Sequence, residues 1–355
     1  MKNSKNQAVK VLEESKNIIW PVILKYLKDA DYPKFLKIPS KRLEDVQYQW
    51  KIFKEYPERK GKYLRPTLVS LCAQAMGLPA SKSFITAAAM QISEEWLLIH
   101  DDIEDDSLSR RKLPSLHKMY GIESALNAGD ALQIIMWKIL IDNFKNIDQK
   151  IAIKVMDEFY KMLLKTVIGQ GVEIEWSKSD KWAYTDDECL FIIDGKTSYY
   201  TIAGPLRLGA ILSGATAKQI EVITKFGVLL GRCFQIKDDL LDITSDYRGQ
   251  SVGNDIYENK KTIILSHLVR HASISDRKKI IAILKKPREQ KKQNEVNWII
   301  FKMNQYKSIA YAENLAQGFK NKAKKVFEKK LKFLSQEPAR SNLNTLIDFV
   351  VDRTH

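Results

Sequence analysis

Residues 100 to 111 read "HDDIEDDSLSRR", with five carboxylates at positions 101 to 106 and two adjacent arginines at 110 and 111. Like charges this close repel one another, so the stretch makes chemical sense only where something neutralises it. The pattern returns once: "DDIED" at 101 to 105 reappears as "DDLLD" at 238 to 242. On a helix, residues four apart share a face, which aligns Asp101 with Asp105 and Asp238 with Asp242, and sets Asp102 and Asp239 beside them. Such stacking costs a few tenths of a kcal/mol per pair, and desolvation costs more. A divalent cation offsets both. Mg²⁺ prefers carboxylate oxygen, keeps several waters, and bridges one or two carboxylates to phosphate. Two clusters facing each other would hold a group of Mg²⁺ ions around one diphosphate, and Arg110 and Arg111 would grip phosphate oxygens in bidentate fashion. An acidic solvated face explains either cluster alone. Two clusters, each led in by apolar residues ("EEWLLIH" and "GRCFQIK"), favour the shared metal site.

The elements that must position these groups are helices. Apolar residues recur at helical spacing, as in "KFGVLLGRCFQIKDDLLDI" (225 to 243), and alternating strand-like runs are absent. Glycine (15) and proline (10) are scarce for 355 residues, which predicts long helices with short connections. "TDDE" (185 to 188) has the form of a capping box opening a helix. Breaks are expected at "YPERKGKYLRP" (56 to 66), "DYRGQSVGND" (246 to 255) and around Pro287. None resembles a flexible linker, so a single all-α domain over 1–355 is expected.

The three cysteines show no paired spacing, and the N-terminus lacks the apolar core of a signal peptide. The longest apolar run, "ALQIIMWKILI" (131 to 141), is too short to span a bilayer. A cytoplasmic location with no integral membrane segment is expected. The net charge of +15 lies largely in "KKPREQKK" (285 to 292) and "KNKAKKVFEKKLK" (320 to 332), without interleaved aromatics or a nucleic-acid motif. A lysine-rich solvated surface is expected there, with no nucleic-acid partner.

Beyond the aspartates, "GKYLRP" (61 to 66), "NAGDAL" (127 to 132), "GQGVEIEW" (169 to 176), "GKTSYYT" (195 to 201), "FQIKDD" (234 to 239) and "NDIYENKKT" (254 to 262) follow in order. With these motifs the chain resembles the trans-isoprenyl diphosphate synthases, the family of farnesyl and geranylgeranyl diphosphate synthases. The resemblance implies an all-α isoprenoid-synthase bundle with its cavity between central helices. It implies that Asp101, Asp102, Asp105, Asp238, Asp239 and Asp242 bind Mg²⁺, three ions with the diphosphate, and the allylic substrate. Arg110, Lys196 and Lys260 would contact the allylic diphosphate, whereas Gly61, Lys62, Arg65 and Arg111 would form the isopentenyl diphosphate site. Thr197 and Gln235 would stabilise the allylic cation. A homodimer is implied as well.

Three departures from the family pattern stand out. Glu94 replaces the usual His or Gln seven residues before the first aspartate, where a carboxylate repels an anion unless a cation pairs with it. The usual "RRG" reads "RRK", with Lys112 third, and the "GK" after the second cluster reads Gly249-Gln250. Residues four and five before the first aspartate form the chain-length floor in this family. Here they are Leu97 and Trp96, and a tryptophan plug predicts a short product, farnesyl or geranylgeranyl diphosphate. Two alternatives remain open at this level: a terpene synthase that ionises an allylic diphosphate without condensation, and a non-catalytic partner subunit.

Overall fold

Helices follow the apolar periodicity through nearly the whole chain. The computed structural model describes residues 2–28, 37–244 and 252–351. In chain order the α-helices are α1 (Lys2–Leu24), α2 (Leu43–Glu58), α3 (Leu64–Ala75), α4 (Phe84–Glu104), α5 (Leu116–Tyr120), α6 (Ile122–Asp142), α7 (Gln149–Lys178) and α8 (Asp186–Ile192). They continue as α9 (Gly204–Leu212), α10 (Ala217–Thr244), α11 (Asn254–Tyr257), α12 (Ile263–His271), α13 (Ile274–Leu284), α14 (Gln293–Gln305), α15 (Ser308–Lys330) and α16 (Ala339–Val351). Thr185 and Glu188 form the capping box that opens α8. The only sheet among the described residues is a two-stranded hairpin of β1 (Ser109–Arg110) and β2 (Leu113–Pro114).

Contacts divide the chain into two units, one of Met1–Asp157, Leu208–Ala215 and Ser335–Leu343, the other of Glu158–Arg207, Thr216–Leu334 and Asn344–His355. In the first, α3 is buried along almost its entire length, and Ala87, Ala88 and Ala89 of α4 are fully buried, small side chains that allow neighbouring backbones to approach closely. The segment that begins at Ser335 is stitched to α3 by backbone bonds, with Ser335 N–H donating to Ala75 O at 2.8 Å. In the second unit, α10 packs against the segment Ile193–Ala203 and against α15, where Phe226 and Phe327 lie 5.6 Å apart. Ile193–Ala203 is wound as a π-helix, a conformation that occurs mostly at functional positions. Among the described residues, no helix is long and apolar enough to cross a membrane.

Candidate active site

In the first unit, the aspartates sit at the C-terminal end of α4, with Asp105 as its C-cap. Asp102 is fully buried. Its carboxylate accepts both Nε and Nη2 of Arg110, the former at 3.0 Å to each oxygen, and the Tyr56 hydroxyl donates to Oδ2 at 2.5 Å. Asp101 stands 3.5 Å from the same guanidinium. Burial alone would lower the Arg110 pKa, but Asp102, joined by Asp101, reverses this and holds it above its usual value. Asp106, the last carboxylate of the run, turns instead to Lys118 at 2.5 Å.

The arginines are presented by the hairpin. Arg110 pairs with Leu113, leaving Arg111 (φ 55) and Lys112 (φ 66) as the two turn residues. Two central residues at positive φ mark a type I′ turn, which matches strand twist and favours glycine. That conformation explains why glycine is usual where Lys112 stands. Arg59 clamps the hairpin through Nη1, donating to Arg110 O at 3.0 Å and Pro114 O at 2.9 Å.

Arg65 and Arg111, two of the residues expected to hold isopentenyl diphosphate, are each met by a carboxylate from α4. Arg65 Nη1 lies 2.9 Å from Glu94 Oε1. Arg111 makes a two-pronged contact with Glu95, Nη1 to Oε2 at 2.9 Å and Nη2 to Oε1 at 3.1 Å, and donates to Tyr56 O at 2.8 Å. Glu95 is buried, and Gln91 Nε2 donates to it at 2.7 Å. Gly61 belongs to this arrangement for steric reasons: a Cβ there would stand 2.8 Å from Arg111 Nη2. Lys62 is exposed. Trp96 is buried and meets His100 edge-on, ring centroids 5.7 Å apart, while His100 Nε2 reaches to within 3.6 Å of Asp130 on α6. The Trp96 side chain therefore lies on the α6 side of α4, with its Nε1 buried and without a hydrogen-bond partner; Leu97 is half-buried.

In the second unit, four residues singled out from the sequence come together. Thr197 Oγ1 donates to Gln235 Oε1 at 2.8 Å, and Gln235 Nε2 donates to Asp239 Oδ1 at 2.7 Å. Lys196, beside Thr197, reaches Glu173 Oε2 at 2.6 Å. The close packing behind this needs Gly169 and Gly195, because a Cβ on Gly169 would stand 2.7 Å from Lys196 N. Asp239 is 6% exposed, and burial, reinforced by the charges of Asp238, Glu173 and Asp242, raises its carboxyl to about 7 against the Gln235 bond. Asp242 receives the chain beyond it: Gly253 N–H donates to its carbonyl at 2.8 Å and Asp255 N–H to its carboxylate at 3.1 Å. Lys260 lies 2.7 Å from Glu258 and 3.9 Å from Asp255. Gln250 lies outside the described residues.

Among the described residues, no group of three or more His, Cys, Asp or Glu side chains converges closely enough to hold an ion alone. The donor set nevertheless suits Mg²⁺, which takes few protein carboxylates and completes its shell with phosphate and water. The raised Asp239 carboxyl points the same way, since crowded carboxylates are what a cation relieves. Sequence reading did not single out Tyr56, Glu95, Glu173, Asp255 or Glu258. Glu173, Asp255 and Glu258 lie inside quoted motifs, which was the available signal.

The fold is all-α, and its candidate groups are aspartate clusters accompanied by cations. The sequence profile of the Polyprenyl synthetase family matches residues 47–303. The chain is similar to the short chain isoprenyl diphosphate synthase of Methanothermobacter thermautotrophicus, 31% identical over 297 residues, 83% of this chain and 87% of the relative. It is likewise similar to the geranylgeranyl diphosphate synthase of Saccharolobus solfataricus, 31% identical over 314 residues, 85% of this chain and 91% of the relative. Among solved structures, the geranylgeranyl pyrophosphate synthetase of Pyrococcus horikoshii matches with a TM-score of 0.83 at 26% identity, covering 98% of each chain. The chain belongs to the polyprenyl synthetase family, as its motifs implied.

Proposed function

We propose that the protein is a short-chain trans-prenyltransferase that condenses isopentenyl diphosphate with an allylic diphosphate. The observation that carries this reading is the run from Thr197 through Gln235 to Asp239, with Lys196 alongside. It links dipoles suited to a cation with a carboxylate suited to a metal, and sets an amine suited to phosphate on the residue next to Thr197. The names of the relatives support the same chemistry.

Asp101, Asp102, Asp105, Asp238, Asp239 and Asp242 would hold Mg²⁺, which would supply electrophilic stabilisation of a departing diphosphate. Arg110, Lys196 and Lys260 bind and orient that diphosphate, drawing charge onto it as the allylic C–O bond ionises. Lys62, Arg65 and Arg111 hold isopentenyl diphosphate so that its alkene meets the cation. The Thr197 hydroxyl donates its hydrogen bond to Gln235 Oε1, leaving its lone pairs to stabilise positive charge. The final proton passes to the released diphosphate, so no histidine or nucleophilic serine is required. Trp96 and Leu97 limit the product to farnesyl or geranylgeranyl length. Assembly as a homodimer fits the exposed stripe Ile122, Leu126, Ile134 and Ile141 along one side of α6.

The test is incubation with Mg²⁺, labelled isopentenyl diphosphate and, separately, dimethylallyl, geranyl and farnesyl diphosphates. Elongated labelled diphosphates are expected, and Trp96→Ala is expected to lengthen them by at least one isoprene unit. Label left in isopentenyl diphosphate while the allylic substrate becomes hydrocarbon or alcohol would establish a terpene synthase instead. No turnover with any primer would point to a partner subunit.

A further inference from the structure

Glu94 stands where an anionic substrate is to be held, and its chemistry opposes that substrate. Its Oε1 lies 2.9 Å from Arg65 Nη1, with both side chains mostly buried, 14% and 19% exposed. Its second oxygen, Oε2, is buried without a hydrogen-bond partner. A carboxylate that only needed to anchor an arginine would engage both oxygens, as the neighbouring Glu95 does with Arg111 and Gln91. Glu94 thus presents one oxygen to the guanidinium and leaves the other desolvated, an arrangement that costs free energy and is relieved when the side chain moves away.

We infer that Glu94 is an internal competitor for the homoallylic diphosphate: it occupies Arg65 until a phosphate displaces it and thereby sets the affinity for isopentenyl diphosphate. This inference rests on the prenyltransferase reading. A phosphate oxygen and a carboxylate oxygen seek the same N–H donors, so substrate affinity is reduced by whatever the Glu94–Arg65 pair contributes. The negative charge that remains nearby adds repulsion. Glu95 does not share this role, because its burial and its three hydrogen bonds fix it in place.

The experiment compares parent, Glu94→Gln and Glu94→His in two ways. Calorimetry measures isopentenyl diphosphate binding alone, and turnover measures its KM separately from kcat and from the allylic KM. Removing the charge is expected to tighten binding and lower the KM for isopentenyl diphosphate by roughly three- to tenfold, the range of a singly bonded ion pair plus its repulsion of the anion. The change falls on that KM more than on kcat. In an Arg65→Met background, Glu94→Gln is expected to give no more than a small residual gain, because the competition is gone. Unchanged or weaker binding in Glu94→Gln would overturn the inference and make Glu94 a support for Arg65. If the parent elongates no primer yet Glu94→Gln still tightens isopentenyl diphosphate binding, the prenyltransferase reading fails and the competition stands.

Discussion

Glu94 and Glu95 are neighbours, each faces an arginine, and substituting them is expected to have opposite consequences. Glu95→Gln removes the charge opposite a mostly buried guanidinium. The Glu95 side chain is 1% exposed and that of Arg111 16%. Deleting one partner of a buried pair costs about 3–5 kcal/mol, because the other charge is left uncompensated. Arg111 keeps its 2.8 Å bond to Tyr56 O, and a glutamine can still accept one bond, so about 3 kcal/mol is the expected loss. With a urea m-value of about 3 kcal/mol/M, the midpoint falls by about 1 M at unchanged m. Glu94→Gln, by contrast, discards a carboxylate whose second oxygen is buried and unsatisfied, and is expected to shift stability by less than about 1 kcal/mol. Urea unfolding followed by circular dichroism separates the two. A Glu95→Gln variant that unfolds at the parent's midpoint would refute the reasoning, as would equal losses in both variants.

Gly169→Ala forces a methyl to within 2.7 Å of the Lys196 backbone nitrogen; a loss of about 1–3 kcal/mol is expected together with a drop in kcat, and full activity would show that the π-helical segment tolerates displacement. Lys112→Gly relieves a side chain held at φ 66 and is expected to raise the thermal midpoint by the equivalent of less than about 1 kcal/mol, read by calorimetry. Lys261 is buried with its amine 3.1 Å from the Trp182 ring centroid, and burial, helped by Lys291, lowers its pKa to about 7. Its ordinary value is 10.5, so between these limits the unfolded chain binds the extra proton and stability rises with pH, by at most ~1.4 kcal/mol per unit. Lys261→Met is therefore expected to be more stable than the parent at pH 7, with the difference shrinking toward pH 10; parallel stability–pH curves would contradict this.

Sequence periodicity revealed the helices because it depends on which side chains are apolar, and the α8 cap because its residues are three apart. The hairpin that presents Arg110 and Arg111 escaped notice for two reasons. Its strands are two residues long, too short to alternate, and a lysine occupies the position where glycine would have signalled the turn. The π-helical winding of Ile193–Ala203 was equally hidden, since apolar spacing over eleven residues does not separate i+5 from i+4 bonding. Tyr56 carried no signal at all: it reaches Asp102 across 46 positions, and tertiary packing alone makes it a partner. Glu94 is the intermediate case. Its charge announced that a cation must face it, but only the fold identifies that cation as Arg65, a residue already assigned to substrate.

These pairings bear on how the protein discriminates among anions. Without substrate, Arg65, Arg110, Arg111, Lys196 and Lys260 each face a carboxylate of the chain itself: Glu94, Asp102, Glu95, Glu173 and Glu258. Cations balanced in this way each attract an arbitrary anion weakly, because any ligand must first replace a bond already made. The cost of replacement depends on burial. Asp102 and Glu95 are 1% exposed and Glu258 4%, so they stay in place, and an anion reaching Arg110, Arg111 or Lys260 meets only the donors left over, from five N–H groups on each guanidinium and three on the ammonium. Glu94 at 14% and Glu173 at 22% have room to move, so Arg65 and Lys196 can exchange partners outright. On this argument, among the carboxylates given no metal-binding role, the largest affinity changes upon removal belong to Glu94 and Glu173, whereas the largest stability change belongs to Glu95.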